Sequence, residues 1–210
     1  MLQHHQDIRI GTLASAGKNT GEYLRQILPH GFESISLTFW QTLGDTDLKQ
    51  LAQDVKGAIG DRDVVISSLG IFGNPLESGD KDQETRQAWA ALIDHAHLFA
   101  LIDPMPQLRQ WASRIFHVHG KDATILHDVV RQHGVYGKEP FAFHRTPGFG
   151  DSNWSAIISD LRRAGFQGSI DIEGWHDPVY RDELEMTGQV HALNYLKQCR
   201  GGPFVPNPTV

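Results

Sequence analysis

This sequence has too few cysteines for a disulfide framework. It also lacks an apolar run long enough for a membrane span and an apolar start typical of an export signal. Cys199 is the single cysteine among 210 residues, so no disulfide can form within the chain. No apolar run approaches the roughly 20 residues that a membrane-spanning helix needs. The opening residues, Met1 to Asp7, are polar and unlike a secretory signal. These features predict a cytoplasmic protein with no membrane partner.

Long basic runs are missing as well. The net charge is −6, with acidic and basic residues interspersed, which disfavours a nucleic-acid partner. Hydrophobic residues make up 40% of the chain and charged residues 21%, values typical of a globular protein. We expect one domain over residues 1–200 and a proline- and glycine-containing tail over residues 201–210.

The spacing of apolar residues predicts alternating strands and helices, a pattern typical of parallel α/β proteins. The predicted strands cover 8–13, 34–40, 64–69, 115–121 and a segment from 169. The predicted helices cover 21–29, 47–59, 83–99, 105–113, 123–132, 153–164 and 183–198, and a long loop covers 141–151. The alternation breaks near residue 100, where two helices follow one another.

Two histidines on one predicted strand are the first candidate site. In a strand His117 and His119 share one face, while Phe116 and Val118 share the other. Neutral imidazole is a common metal ligand. A His-x-His strand by itself is more often structural, with its rings bonded to backbone or water.

A second strand has the same design. Asp171 and Glu173 share one face with Ser169, and Ile170 and Ile172 occupy the other. Strands of parallel barrels carry polar groups towards the active-site mouth and apolar groups towards a helix layer. The ends of these two strands therefore offer His119 and Glu173 as half of a metal site.

The loop over residues 141–151 is rich in glycine, proline and charge. A long loop of this composition is often functional. Arg145 within it suits either a phosphate or carboxylate ligand or a surface salt bridge, and the residues alone leave both readings open.

Three motifs in order carry a resemblance to a known family. They are the segments 117–122 (HVHGKD), 145–154 (RTPGFGDSNW) and 171–173 (DIE). In this order the chain resembles the sugar phosphate isomerase/epimerase family, whose fold is the xylose-isomerase-like (β/α)8 TIM barrel. The resemblance extends to residues 65–75, which are similar to the third barrel strand and its loop.

The resemblance implies a divalent metal ion, with Mn, Mg, Co or Zn all compatible, and a sugar or sugar-phosphate substrate. By motif position His119 and Glu173 would be metal ligands, and Glu173 would also be the catalytic residue. His117, Lys121 and Arg145 would be substrate-binding. The two further metal ligands of the family have no match, and Asp103, before Pro104, is not assigned as one.

The same resemblance predicts an incomplete barrel. Five barrel strands can be placed, whereas a complete barrel has eight and typically about 250 residues. We expect a segment of about three strands to be absent between Phe99 and Leu101. An open sheet of this kind would expose two edges, which favours association with another copy of the chain.

These observations favour a metal-dependent isomerase or epimerase that moves a proton next to a carbonyl of a sugar, sugar phosphate or polyol. The alternative is a catalytically inactive barrel remnant that binds a ligand or partner. A metal-dependent apurinic endonuclease on a related barrel is disfavoured by the acidic net charge.

Overall fold

The computed structural model describes residues 7–40, 46–72, 105, 108–109, 112–134, 138–202, 205 and 208. The strands are β1 (Arg9–Ser15), β2 (Ser34–Trp40), β3 (Val65–Phe72), β4 (His117–Gly120), β5 (Asp122–Ile125), β6 (Ala142–Arg145) and β7 (Ser169–Ile172). The helices are α1 (Thr20–Ile27), α2 (Leu48–Ile59), α3 (His127–His133), α4 (Trp154–Arg163) and α5 (Glu185–Arg200). None of the described helices is long and apolar enough to cross a membrane.

Five parallel strands form one curled sheet in the order β3-β2-β1-β7-β4. The pairing of β1 with β7 joins the first strand to the last, as barrel closure requires, with Gly11 opposite Asp171. β4 pairs with β7 with His119 opposite Asp171. The predicted α/β class and the five predicted barrel strands are confirmed: the sheet is an incomplete TIM barrel.

The two faces of this sheet differ in polarity. The outer face is apolar and packs on the helices through residues that are almost fully buried, among them Ile10, Ile35, Ile170 and Ile172. The inner face carries polar side chains on β2, β3, β4 and β7, and some of these side chains are in direct contact from strand to strand. Alternation along each strand therefore separates the core from the site.

Helix ends follow the capping residues in the sequence. Asp47 accepts hydrogen bonds from the amides of Lys49 and Gln50 at the start of α2. Asn153 accepts one from Ala156 at the start of α4. Gly165 takes a positive φ of 79° after α4, a conformation typical of the residue that follows a helix.

The region between β4 and α4 corrects two predictions. Residues 122–125 are a strand, so the helix expected over 123–132 begins only at His127. The loop expected over 141–151 contains β6, which pairs antiparallel with β5. Local composition did not predict this hairpin, because its two short strands are stabilised by pairing between segments far apart in the chain.

The predicted gap between Phe99 and Leu101, and the helix predicted over 83–99, lie outside the described residues. In the cyclic order of an eight-stranded barrel, β7 follows β4 and β1 follows β7. The three further strands of a complete barrel would thus belong between β3 and β4. The division into a domain over 1–200 and a tail over 201–210 stays a prediction.

Candidate active site at the carboxyl ends of β4 and β7

Glu173 lies immediately after β7 and is in contact with two groups from the β4 end. His119 Nδ1 lies 3.3 Å from Glu173 Oε2. Lys121 Nζ donates a hydrogen bond of 2.7 Å to Glu173 Oε1. The parallel register of β4 and β7 explains this contact, because it sets equivalent positions side by side on the inner face.

The charge state of Glu173 follows from these neighbours. Burial, which leaves 5% of the residue exposed, raises its pKa. The hydrogen bond from His119 and the Lys121 ammonium outweigh burial and lower the pKa of Glu173 to about 2. Glu173 is therefore ionised at neutral pH, the form that can bind a cation.

Asp171 forms a second buried polar group one layer deeper. It accepts hydrogen bonds from Ser34, at 2.5 Å, and from Ser67, and His117 Nε2 lies 3.5 Å from its Oδ2. Burial raises the pKa of Asp171 to about 6, against the opposing effect of the two serines and His119. Sequence reasoning placed Asp171 on this face without making it a candidate, although the alternation already indicated it.

Gly11 on β1 provides the room for this contact. A side chain there would collide with Ser34 and with the Asp171 carboxylate. The absence of a Cβ lets groups from β2 and β7 meet across β1. Sequence reasoning did not single out this glycine.

A further histidine, His176, lies beside Glu173, and His144 lies beside His176. His176 Nε2 is 3.6 Å from Glu173 Oε1, and the ring centroids of His144 and His176 are 5.6 Å apart. Sequence analysis missed both. His176 follows Glu173 by three residues, which was a usable signal, but His144 reaches the site only through the β5–β6 hairpin.

Arg145 is held by a carboxylate of the same protein. Its Nε donates to Asp177 Oδ2 at 3.1 Å, and its guanidinium lies 5.7 Å from the centroid of the Phe149 ring. Asp177 also accepts from the amides of Thr146, Val179 and Tyr180. Burial raises the pKa of Asp177, but these amides and then Arg145 lower it overall. Arg145 thus fixes the segment after Glu173, and its substrate-binding role stays a prediction.

Asp122 joins two of the sequence motifs. The residue is 1% exposed. Its carboxylate accepts hydrogen bonds from the amides of Ala123, Gly148 and Ser152 and from the Trp154 indole. The aspartate that ends the first motif therefore holds the Pro-Gly loop and the tryptophan of the second motif in place.

A cleft of about 410 Å³ opens next to this site, at the carboxyl end of β1. Its wall includes Leu13, Trp175 and Glu185. Ligand sites of parallel barrels are found at this end of the strands.

With this geometry established, comparison with known proteins identifies the fold family. A profile described as "xylose isomerase-like TIM barrel" matches residues 88–199, just over half of the chain. The chain belongs to the xylose isomerase-like TIM barrel family. This match contains β4 through β7, and with them His119, Lys121 and Glu173.

A curated protein of Clostridium tetani (strain Massachusetts / E88), an inosose dehydratase, is similar to part of the chain. The two sequences are 29% identical over an alignment of 116 positions, which covers 51% of this chain. The aligned region spans 37% of the dehydratase. The likeness therefore concerns about a third of that enzyme's length.

The family resemblance implies a divalent metal ion at this end of the barrel. Nitrogen and oxygen ligands about 2.1 Å from a tetrahedral metal lie about 3.4 Å from each other. The 3.3 Å between His119 Nδ1 and Glu173 Oε2 is compatible with this geometry. Within the described ranges no group of three or more His, Cys, Asp or Glu side chains is arranged to hold a metal ion. The described part of this barrel thus offers two ligands of suitable chemistry.

Proposed function

We propose that this protein is a metal-dependent isomerase or epimerase that transfers a proton at the carbon next to a carbonyl of a polyhydroxylated substrate. The observation that supports it most is the buried, ionised Glu173 at the end of a barrel strand, between His119 and Lys121. Enzymes of this fold carry their catalytic residues at that end of the strands.

Glu173 would act as the base. Its carboxylate takes the proton from the carbon next to the carbonyl, and the electron pair moves onto the carbonyl oxygen to give an enediolate. Lys121 holds Oε1 through its hydrogen bond and His119 lies beside Oε2, so these two neighbours fix the orientation of the carboxylate. His119 and Glu173 would hold the divalent cation, which supplies positive charge for the developing oxyanion.

The relative's name broadens the reactions to be tested. An inosose dehydratase acts, by its name, on a cyclic polyol ketone. Loss of water from such a ketone can begin with the same proton abstraction that an epimerisation needs. Dehydration is therefore a second reaction to be tested, and isomerisation of a sugar or sugar phosphate stays the leading proposal.

The test is exchange of carbon-bound hydrogen for deuterium. The purified chain with Mn²⁺ would be incubated in D₂O with ketoses, ketose phosphates and inososes and followed by NMR. We expect exchange next to the carbonyl, and we expect Glu173→Gln to lower its rate at least about 1,000-fold because the base is lost. Glu183→Gln, on an exposed residue, is the matched control and should exchange like the parent.

The pattern of products would identify the reaction. An isomer indicates an isomerase or epimerase, and loss of water indicates a dehydratase. No exchange with any ketone would contradict the proposal. It would favour the non-catalytic remnant, a reading supported by the two-ligand donor set of the described residues.

A further inference from the structure

Asp171 is a carboxylate in the interior of the sheet, and side chains from three other strands converge on it. Ser34 of β2 donates to its Oδ1 at 2.5 Å, and Ser67 of β3 donates to its Oδ2. His117 of β4 lies beside it, with Nε2 3.5 Å from Oδ2. Branched apolar residues fill most barrel interiors, and a buried charge costs stability unless its neighbours compensate for it. The position of Asp171 therefore points to a role beyond packing.

The negative charge of Asp171 matters more to His117 than to the two serines. A serine hydroxyl can donate to a neutral amide oxygen as well as to a carboxylate. An imidazole nitrogen that faces a carboxylate is favoured to carry the ring hydrogen, because a lone pair there would face negative charge. Asp171 thus favours the tautomer of His117 that has its hydrogen on Nε2.

His117 in turn lies against His119. The centroids of the two rings are 5.1 Å apart and their planes make an angle of 87°, so the edge of one ring faces the other ring. An edge-to-face contact depends on the orientation of both rings. His119 Nδ1 then lies 3.3 Å from Glu173 Oε2. Consecutive contacts thus lead from the interior of the sheet to the carboxylate at the strand end.

Burial limits the ways in which Asp171 can act on this site. The residue is 0% exposed, so it cannot contact a substrate itself. It pairs across the two strands with His119 and lies within reach of His117. A change at Asp171 would therefore reach Glu173 only through these histidines or through the backbone of β7.

We propose that Asp171 is a positioning residue for the site at Glu173: it holds His117 with the hydrogen on Nε2, and His117 fixes the ring of His119 beside the Glu173 carboxylate. This inference rests on the proposed function, because it names a further residue on which proton transfer by Glu173 depends. The alternative is a purely structural role, in which Asp171 only ties β2 and β3 to β7 through the two serines.

The first test is the tautomer of His117 in the full chain without added metal. Two-bond proton–nitrogen NMR spectra of protein with isotope-labelled histidine, at about pH 8, report which ring nitrogen carries the hydrogen. Loss of signals in His117→Gln assigns them. We expect hydrogen on Nε2 in the parent and a mixture of tautomers in Asp171→Asn, whose amide can present an acceptor or a donor.

Two results of this test would overturn the inference. One is hydrogen on Nδ1 of His117 in the parent, a measurement that needs no variant at Asp171. The other is a folded Asp171→Asn protein in which the signals of His117 and His119 are unchanged.

The second test separates positioning from structure by kinetics. Asp171→Asn should lower kcat of deuterium exchange about 10- to 100-fold and leave KM within about twofold, because Asp171 contacts no substrate. The control is Asp160→Asn on α4, a carboxylate 3% exposed that accepts from Arg109 Nε at 2.8 Å. It should lower the melting temperature by a similar amount and leave kcat unchanged. A folded Asp171→Asn protein with the kcat of the parent would overturn the inference.

A double variant shows whether the effect passes through His117. In a His117→Gln background, Asp171→Asn should lower kcat by less than about twofold, because the side chain on which Asp171 acts is already missing. Effects of the two substitutions that multiply would overturn the path through His117.

The outcomes separate this inference from the proposed function. A parent that exchanges no hydrogen on any ketone, with a His117 tautomer that depends on Asp171, would contradict the proposed function and support the contact between Asp171 and His117. Exchange that depends on Glu173 but is untouched in folded Asp171→Asn would support the proposed function and contradict the positioning role.

Discussion

The buried carboxylates of this protein have different roles, which depend on the groups that they contact. Glu173 contacts a lysine and a histidine at the strand end, whereas Asp122 and Asp177 accept backbone amides within loops. Asp122 and Glu173 belong to motifs that carry the family resemblance, and Asp177 lies four residues after Glu173. The structure gives Asp122 and Asp177 a positioning role, because their oxygens are occupied by the chain itself.

Asp122 should be among the most sensitive residues for stability. Asp122→Ala would leave amides and the Trp154 indole without their acceptor in a site that is 1% exposed. We expect a loss of about 3 kcal/mol in the free energy of unfolding, measured by urea denaturation. Asp128→Ala, on an exposed position of α3, should change it by less than about 0.5 kcal/mol. Equal effects of the two variants would contradict this role.

Glu33, at the opposite end of the sheet, makes the stability of the fold depend on pH. Its carboxylate accepts from the Ile10 amide and from Arg200, at 2.9 and 2.7 Å. Burial raises the pKa of Glu33, but the bonds from Arg200 and Ile10 hold it below its usual 4.5. Ionised Glu33 thus stabilises the fold above about pH 4.5, and this is lost as the pH falls through the folded-state pKa.

Glu33→Gln should accordingly be less stable than the parent at neutral pH and similar to it in strong acid. We expect a deficit of about 1 kcal/mol near pH 7 that shrinks as the pH falls below 4.5 through the folded-state pKa of Glu33. Urea denaturation of both proteins across this range measures it. Glu22→Gln, with a side chain that is 67% exposed, is the control and should show little difference. A deficit that is independent of pH would contradict the assignment.

At the level of elements, the loop after β6 is organised by close packing on α5. Gly148 has a φ of 96°, and a Cβ there would lie 2.9 Å from Tyr195 and 3.0 Å from His191. Phe149 stacks between Tyr180 and His191, with ring centroids 4.0 and 4.1 Å away. The Pro-Gly motif is therefore needed for the approach of this loop to the helix.

Gly148→Ala tests that conclusion. We expect the free energy of unfolding to fall by about 2 kcal/mol or more, since the backbone is left-handed and the space is filled. Gly57→Ala is the matched control, because this helical position has nothing within 4 Å and should gain about 0.5–1 kcal/mol. Thermal unfolding of both variants measures the contrast. A neutral Gly148→Ala would show that the loop is not held in this way.

At the scale of the whole molecule, the two edge strands of the described sheet are the feature with the largest consequence for association. Among the described strands, β3 and β4 each pair on one side only. Leu69 on β3 is 73% exposed, and Phe116, just before β4, is 84% exposed. Unpaired edges with exposed apolar residues favour pairing with another chain.

We therefore expect the purified protein to associate with itself through these edges. Leu69→Lys should shift it towards the monomer in sedimentation velocity, because a charged residue on an edge strand opposes pairing. Leu48→Lys is the control, since Leu48 is also half exposed but lies on α2. A parent protein that is monomeric at all concentrations would contradict the expectation.

The sequence by itself determined the class of fold, the five barrel strands, most helix ends and the faces shared by His117 with His119 and by Asp171 with Glu173. These properties depend on short-range periodicity and capping, which neighbouring residues specify. The order of three motifs was sufficient to indicate the family.

Only the tertiary structure decided which of these groups meet. It paired β1 with β7, placed His144 beside His176, and gave Arg145 a partner in Asp177. It also formed the β5–β6 hairpin and the cleft at Trp175. Such contacts join residues far apart in the chain, so they depend on barrel closure and packing, which local patterns do not encode.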